Sequence, residues 1–323
     1  MIVTFTANPS IDRTMQLDAP LRRGESHRAQ ACFDHPAGKG MNVAAVLREA
    51  GEAAVAVVAF ADQSYLGLAR ELGGPEPLVA LVRPGLRVRT NIAVTEPDGT
   101  TTKINEPGPL LEASEVVMVT DALVHITARG SADWVVMSGS IPPGAPDDWY
   151  VQLASALRPL GCRLAVDTSD QALAAVLAAL PEVPVDLLKP NVDELAQMVG
   201  RPAADLQDEA DRGDWASIIA GGQALRARGV AEVLVTLGAA GALLVSAEGV
   251  WQAGALPVEV RSTVGAGDAS LAGYLLASQQ GLGSADRLAT AVAYGSAAAA
   301  SPGTGIGVVS SPDVATVSVT RLV

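Results

Sequence analysis

Short, nearly unbroken runs of Val, Leu and Ile recur along the chain, and a stretch of helical character follows almost every one. The runs at residues 2–6, 54–60, 134–138, 163–167, 185–189 and 232–236 are apolar on both sides of the strand each would form. Such strands cannot leave a face in water, so they must lie in a mostly parallel sheet covered by helices above and below. The intervening stretches at 41–49, 148–157, 172–180, 192–199 and 215–228 supply those helices, with two long Ala-rich ones beginning near Ala269 and Ala285. The expectation is a three-layer αβα sandwich. With 49% apolar and only 3% aromatic residues over 323 positions, its core must be aliphatic, and intrinsic disorder is excluded.

Two stretches break the rhythm. Residues 13–35 and 86–106 are richer in Thr, Arg and charge, and Glu96-Pro97-Asp98-Gly99 in the second reads as a hairpin turn. Together they are expected to form a small β lid inserted into one domain spanning 1–323. Residues 201–214 are acidic and read as a solvated loop.

A net charge of −13 argues against a nucleic-acid partner and against attachment to acidic lipid. The opening residues lack a basic run and soon meet Asn8-Pro9, and the most apolar later stretch, 233–245, is broken by glycines. A cytoplasmic protein with no membrane span is expected. Cys32 and Cys162 lack both the number and the spacing of a disulfide framework or metal site. His27, His35 and His125 have no metal-like partner in sequence.

The basic residues are more informative. Of 22 Lys and Arg, the only lysines are Lys39, Lys103 and Lys189, each in a stretch marked by Gly, Asn or Pro. A compact ammonium on a flexible stem suits phosphate oxygens, so these positions point to phosphate contact.

Five motifs could carry chemistry. In Gly265-Ala266-Gly267-Asp268 a glycine turn enters an Ala-rich helix, where free N–H groups and the helix dipole favour an anion. Asp268 reads there either as a functional carboxylate or as an ordinary first-turn Asp. Gly38-Lys39-Gly40-Met41-Asn42 also opens a helix; it is no Walker loop, and it reads either as a polyol site or as a tight turn. Asn8-Pro9-Ser10-Ile11-Asp12 follows the first strand, where ligands of parallel sheets bind, although Asp12 could equally form an Asx turn. Lys189-Pro190-Asn191-Val192-Asp193-Glu194 sets Asn191 and Glu194 on one side of a starting helix, able to order hydrated Mg²⁺. Thr236-Leu237-Gly238-Ala239-Ala240-Gly241 is a strand end and glycine turn suited to a nucleotide. No Gly-x-Gly-x-x-Gly follows the first strand, so a dinucleotide reading fails.

Taken together, these motifs resemble the ribokinase-like (PfkB) family of sugar kinases over nearly the whole chain. Arg89-Thr90-Asn91, Lys103-Ile104-Asn105-Glu106-Pro107-Gly108 and Ser138-Gly139-Ser140-Ile141-Pro142-Pro143-Gly144 are closest to its sugar-phosphate branch. Asn8 to Thr14 is most similar to that branch's 1-phosphofructokinases. The resemblance implies ATP-dependent phosphorylation of a ketohexose phosphate, with fructose 1-phosphate as first choice and tagatose 6-phosphate or fructose 6-phosphate as alternatives. A non-catalytic sugar-phosphate sensor on the same fold is the alternative outside enzymology. The resemblance further implies that Asp12, Gly38 and Asn42 hold sugar hydroxyls. Lys39 and Arg89, joined by Arg28 and Lys103 with Ser140 nearby, would hold the substrate's phosphate. Lys189, Asn191, Thr236, Gly238 and Gly241 would line the ATP site, Glu194 would order Mg²⁺ through water, and Asp268 would be the base beside Gly265, Ala266 and Gly267. An exposed edge or face of the lid sheet would be a liability unless covered, so a homodimer joined through the lid is expected. Ala37 and Ser262 depart from residues common among relatives, which have Gly at the first position and, in ribokinases, Asp at the second; the sugar-phosphate branch shares Ser262.

Overall fold

The computed structural model describes residues 1–83, 85–301 and 312–323. In chain order its strands begin with β1 (Ile2–Thr6), β2 (Ser10–Gln16), β3 (Ala31–Ala37), β4 (Ala54–Val58) and β5 (Leu78–Ala80). There follow β6 (Arg89–Thr95), β7 (Thr101–Asn105), β8 (Trp134–Ser138), β9 (Arg163–Asp167) and β10 (Val185–Leu188). The last are β11 (Val230–Thr236), β12 (Ala242–Ser246), β13 (Gly249–Ala253) and β14 (Val319–Arg321). The helices are α1 (Lys39–Glu49), α2 (Gln63–Glu71), α3 (Ala113–Gly130), α4 (Trp149–Leu157) and α5 (Asp170–Ala178). After these come α6 (Val192–Val199), α7 (Ala203–Asp211), α8 (Ala216–Ala227), α9 (Ala266–Gln279) and α10 (Ser284–Ala299).

Ten strands make one sheet in the order β14-β13-β12-β11-β10-β9-β8-β1-β4-β5. Pairing is parallel from β5 through β11 and antiparallel across β12, β13 and β14. All five residues of β1 are buried. The pleat sends Val3 and Phe5 into one apolar cluster and Ile2 into the other. The first cluster takes Tyr65, Leu123, Trp149 and Leu195 from helices α2, α3, α4 and α6. The second takes Val43, Leu271 and Leu288 from α1, α9 and α10. This is the α/β sandwich with a mostly parallel sheet that the apolar runs require.

A second sheet of four strands, ordered β3-β2-β6-β7, is built from the Thr- and Arg-rich stretches. Its first strand begins at Ser10, three residues before the stretch marked out in the sequence. The acidic segment 201–214 is a correction: it is not a loop but contains α7. Leu206 and Ala210, one helical turn apart, are buried, and Arg201 pairs with Glu209 at 2.7 Å. The charges are the wet face of a short amphipathic helix. Cys32 and Cys162 are free thiols, the first exposed and the second buried. Among the described residues no helix is long and apolar enough to cross a membrane, and no His, Cys, Asp and Glu gather as a metal cluster.

Candidate active site

A cleft of about 940 Å³ opens along the carboxyl ends of β1, β9, β10 and β11, with the small sheet as one wall. The strand ends deliver Asp167 (β9), Lys189 (after β10) and Thr236 (β11), while the amino ends of α1 and α9 deliver Lys39 and Asp268. Two glycines allow the helices to begin there. Gly38 precedes α1 with φ of 146°, and a Cβ on it would lie 2.4 Å from Thr6 Cγ2. Gly265 precedes α9 with φ of 79°, a left-handed turn that glycine takes without strain. Behind that turn, Ser262 Oγ accepts the N–H of Val264 at 3.2 Å.

Asp268 lies in the first turn of α9 and is only 7% exposed. Its Oδ2 accepts a 2.8 Å hydrogen bond from Asn42 Nδ2. Burial, with the negative charge of Asp167 adding to it, pushes the Asp268 carboxyl up to about 6. Beside it the first-turn N–H groups of α9 have no carbonyl one turn back inside the helix. The Lys189 ammonium reaches the same place, 3.4 Å from where a Cβ on Gly267 would sit. The result is an anion hole with a carboxylate at its edge.

Asp167 organises the cations around this hole. It is 1% exposed, accepts from Lys39 Nζ at 2.9 Å through Oδ1 and pairs with Lys189 Nζ at 3.2 Å through Oδ2. Burial alone would raise its pKa, but Lys189 and Lys39 outweigh that and hold it below the usual carboxylate range. For Lys39, burial works to lower the pKa, and Asp167, Asp268 and Glu194 together hold it above the ordinary lysine value.

The wall formed by the small sheet carries a different set. Register pairs Ser10 with Arg89, Asp12 with Asn91 and Ala93 with Lys103, so the pleat brings Ser10, Asp12, Arg89, Asn91 and Lys103 to the cleft side. Asp12 Oδ1 accepts from Ser10 Oγ at 2.8 Å and Asn91 Nδ2 at 3.0 Å. Arg89 donates to the backbone carbonyls of Asn8 (3.0 Å) and Glu106 (3.1 Å), and burial lowers its pKa. Arg89 Nε and Asn91 Oδ1 are buried without a hydrogen-bond partner. The cleft is also lined by Thr236, Gly238 and Gly241 and by the apolar Leu256, Pro257, Val258 and Val292.

Of the residues singled out in the sequence, Asp12, Gly38, Lys39, Asn42, Arg89, Lys103, Lys189, Asn191, Thr236, Gly238, Gly241, Gly265, Ala266, Gly267 and Asp268 line this one cleft. Three do not. Arg28 is exposed on the connection between β2 and β3. Ser140 instead accepts a 3.3 Å hydrogen bond from Asn8 Nδ2. Glu194 is turned back onto its own helix, where it and Asn191 cap each other at 2.9 and 2.8 Å. Burial raises its carboxyl pKa even though Lys39 opposes this. Asn42 donates to Asp268, and Lys39 pairs with Asp167. Asp167 was missed altogether. Its one signal was a carboxylate at the carboxyl end of an apolar parallel strand.

The profile of the pfkB family carbohydrate kinases matches residues 6–311. This chain belongs to that family. This PfkB kinase is 36% identical over 296 residues to a 1-phosphofructokinase of Xanthomonas campestris pv. campestris, covering 90% of this chain and 88% of the relative. It is 35% identical over 299 residues to the 1-phosphofructokinase of Escherichia coli K12, covering 90% and 89%. Among solved structures, phosphofructokinase-2 from Escherichia coli in complex with fructose-6-phosphate superposes with a TM-score of 0.80 at 28% identity, covering 92% of this PfkB kinase and 93% of that chain.

Proposed function

We propose that this PfkB kinase transfers the terminal phosphoryl group of ATP to a ketohexose phosphate, with fructose 1-phosphate as substrate and fructose 1,6-bisphosphate as product. The observation that carries the reading is the separation of two cationic groups in one cleft. Lys39 and Lys189 flank the buried base, and Arg89 and Lys103 stand on the small sheet. A kinase for an unphosphorylated sugar needs only the first group; a second one suits an acceptor that already carries a phosphate. The likeness to 1-phosphofructokinases supports the choice of phosphate position. In a protein of net charge −13, such local clusters are what let two anionic substrates approach.

In this reading the sugar lies against Asp12, Asn91 and Gly38, and its phosphate against Arg89 and Lys103. Arg89 Nε and Asn91 Oδ1 gain the partners they lack. Asp268 accepts the proton of the attacking hydroxyl, and a carboxyl titrating near 6 is ionised and still basic at neutral pH. The α9 N–H groups and Lys189 take up the charge of the group in transfer. The apolar residues that share the cleft with Thr236 and Gly241, among them Leu256 and Val292, receive the adenine. Asp167 and Asp268 bring carboxylates to the cleft, the donors Mg²⁺ takes beside its waters and phosphate oxygens. Glu194 lies behind the cleft wall in its capping box with Asn191, so it would order the ion only through intervening water. When bound, Mg²⁺ would neutralise charge on the nucleotide phosphates. The small sheet is a lid that keeps water from the transfer point.

The same reading makes the lid a homodimer contact. Phe33 and Ile104, 47% and 59% exposed, lie on its outermost strands β3 and β7. Light scattering at micromolar concentration should report a dimer; a monomer there removes the contact and leaves the lid. An ADP-release assay with fructose 1-phosphate, tagatose 6-phosphate, fructose 6-phosphate and free fructose tests the activity. We expect kcat/KM to be highest for fructose 1-phosphate. Equal use of free fructose would sink the phosphate subsite, and silence across the panel would favour a sensor.

A further inference from the structure

We propose that Asp167 is a positioning residue of the transfer site, holding Lys39 and Lys189 on its two oxygens and setting its negative charge against Asp268. The inference rests on the kinase reading for its consequence, but its geometry stands independently. Asp167 ends β9, at the centre of the sheet, and is as buried as any core side chain, at 1% exposure. A carboxylate there, without partners, would be an uncompensated buried charge, and two ammonium groups meet it at 2.9 and 3.2 Å. Those lysines come from separate elements, α1 and the end of β10. Asp167 therefore ties the amino end of α1 to the middle of the sheet. Its Oδ2 meets Lys189 as a charge, outside regular hydrogen-bond geometry.

The consequence for Asp268 follows from charge. The groups acting on it are Asp167 from β9, Lys189 beyond β10, Lys39 from α1 and the Asn42 amide. Glu194 from α6 acts on the same cluster through Lys39. Asp167 is the carboxylate that makes a proton on Asp268 more favourable, and the lysines oppose it. It thus has two effects: it fixes the lysines beside the anion hole, and it offsets their tendency to turn Asp268 into a weak base.

Two variants predict opposite signs. Asp167→Asn should lower the titration midpoint of Asp268 by about one pH unit or more, as expected for removing a nearby like charge. Lys39→Met should raise it. The midpoint can be followed without turnover by ¹³C NMR of labelled aspartate carboxyls, with the Asp268 signal assigned by its loss in Asp268→Asn. In parallel, Asp167→Asn should lower kcat at least tenfold at pH 8 and move the acid limb of kcat/KM in the same direction as the NMR midpoint. A folded Asp167→Asn whose Asp268 midpoint stays within about 0.3 unit of the wild type overturns the proposal. Should Asp167→Asn fail to fold, the Lys39→Met arm decides, since an unmoved midpoint there overturns it equally. An inactive wild type would refute the kinase reading while the NMR arms still tested Asp167.

Discussion

The two ends of the cleft hold their cations in different ways. At one end, Lys39 and Lys189 share Asp167, a carboxylate buried among strands of the main sheet that offsets one of their two charges. At the lid end, Arg89 is held by two backbone carbonyls, of Asn8 and Glu106. A carbonyl orients a guanidinium without cancelling its charge, whereas a carboxylate does both. In the proposed reading the first arrangement, at the transfer end, serves a charge that moves during reaction, and the second, where Asp12 and Glu106 act on Arg89 only through space, serves a phosphate that stays where it is.

The largest effect that would break this contrast lies at the transfer end. Asp268→Asn removes the proton acceptor but leaves the anion hole and both lysines. Turnover should fall by about 10²–10⁴-fold with little change in the binding of either substrate. Isothermal titration beside initial rates checks both halves. Turnover above about a tenth of wild type would mean that Asp268 is not the base.

Next comes the lid end. Arg89→Ala should cost a phosphorylated acceptor about 2–4 kcal/mol in kcat/KM, as when one partner of a charge-assisted contact is deleted. Catalysis with free fructose, if measurable, should change little. Equal losses with both acceptors would show that Arg89 supports the lid through Asn8 and Glu106 and does not bind the phosphate.

The contrast also marks what the sequence could convey. Apolar runs such as 134–138 and 163–167 appear as strands with those bounds, because a parallel strand buried on both faces has few other sequences open to it. The glycines before α1 and α9 were visible for a similar reason: their backbone conformations exclude most side chains. Charge was harder to read. Nothing local distinguishes Asp167 from a strand-ending Asp in a turn, since its two partners lie 128 and 22 residues away. Sequence alone cannot tell Asn191 and Glu194 as a ligand pair from the capping box they form, because both arrangements place two polar side chains on one side of a helix start. Segment 201–214 looked like a loop because only Leu206 and Ala210 mark its buried stripe.

A smaller effect sharpens the contrast through pH. The Asp268 carboxyl, pushed up to about 6 by burial and Asp167, must be ionised to accept a proton. Activity should be flat above about pH 7 and fall about tenfold per unit well below pH 6. Arg89→Ala should leave this limb in place, because that residue belongs to the other end. A limb that moved with Arg89→Ala would mean that the two ends share one electrostatic unit.

The smallest expected effect is on stability, and its sign is opposite to that on activity. Asp268 has a folded-state pKa of about 6 against an ordinary 3.8, so the native protein binds a proton more tightly than the unfolded chain does. Its favourable contribution is complete below pH 3.8 and is lost as pH rises through 6, leaving an ionised, buried carboxylate as a net cost at neutral pH. Asp268→Asn removes that cost while keeping a side chain of the same shape next to Asn42. The variant should therefore melt at a higher temperature than wild type at pH 8, with the difference shrinking as pH approaches 4. This is the trade expected where a catalytic group is held ionised against its surroundings. Arg89→Ala offers the matched control, for Arg89 stays charged across this range and its effect on melting should not vary with pH between 4 and 8. Thermal melts of the three proteins at pH 4, 6 and 8 decide the matter: a deficit in Asp268→Asn that is equal at all three would mean that the carboxylate is a structural anchor of α9, and the division of labour between the ends of the cleft would then lose its energetic basis.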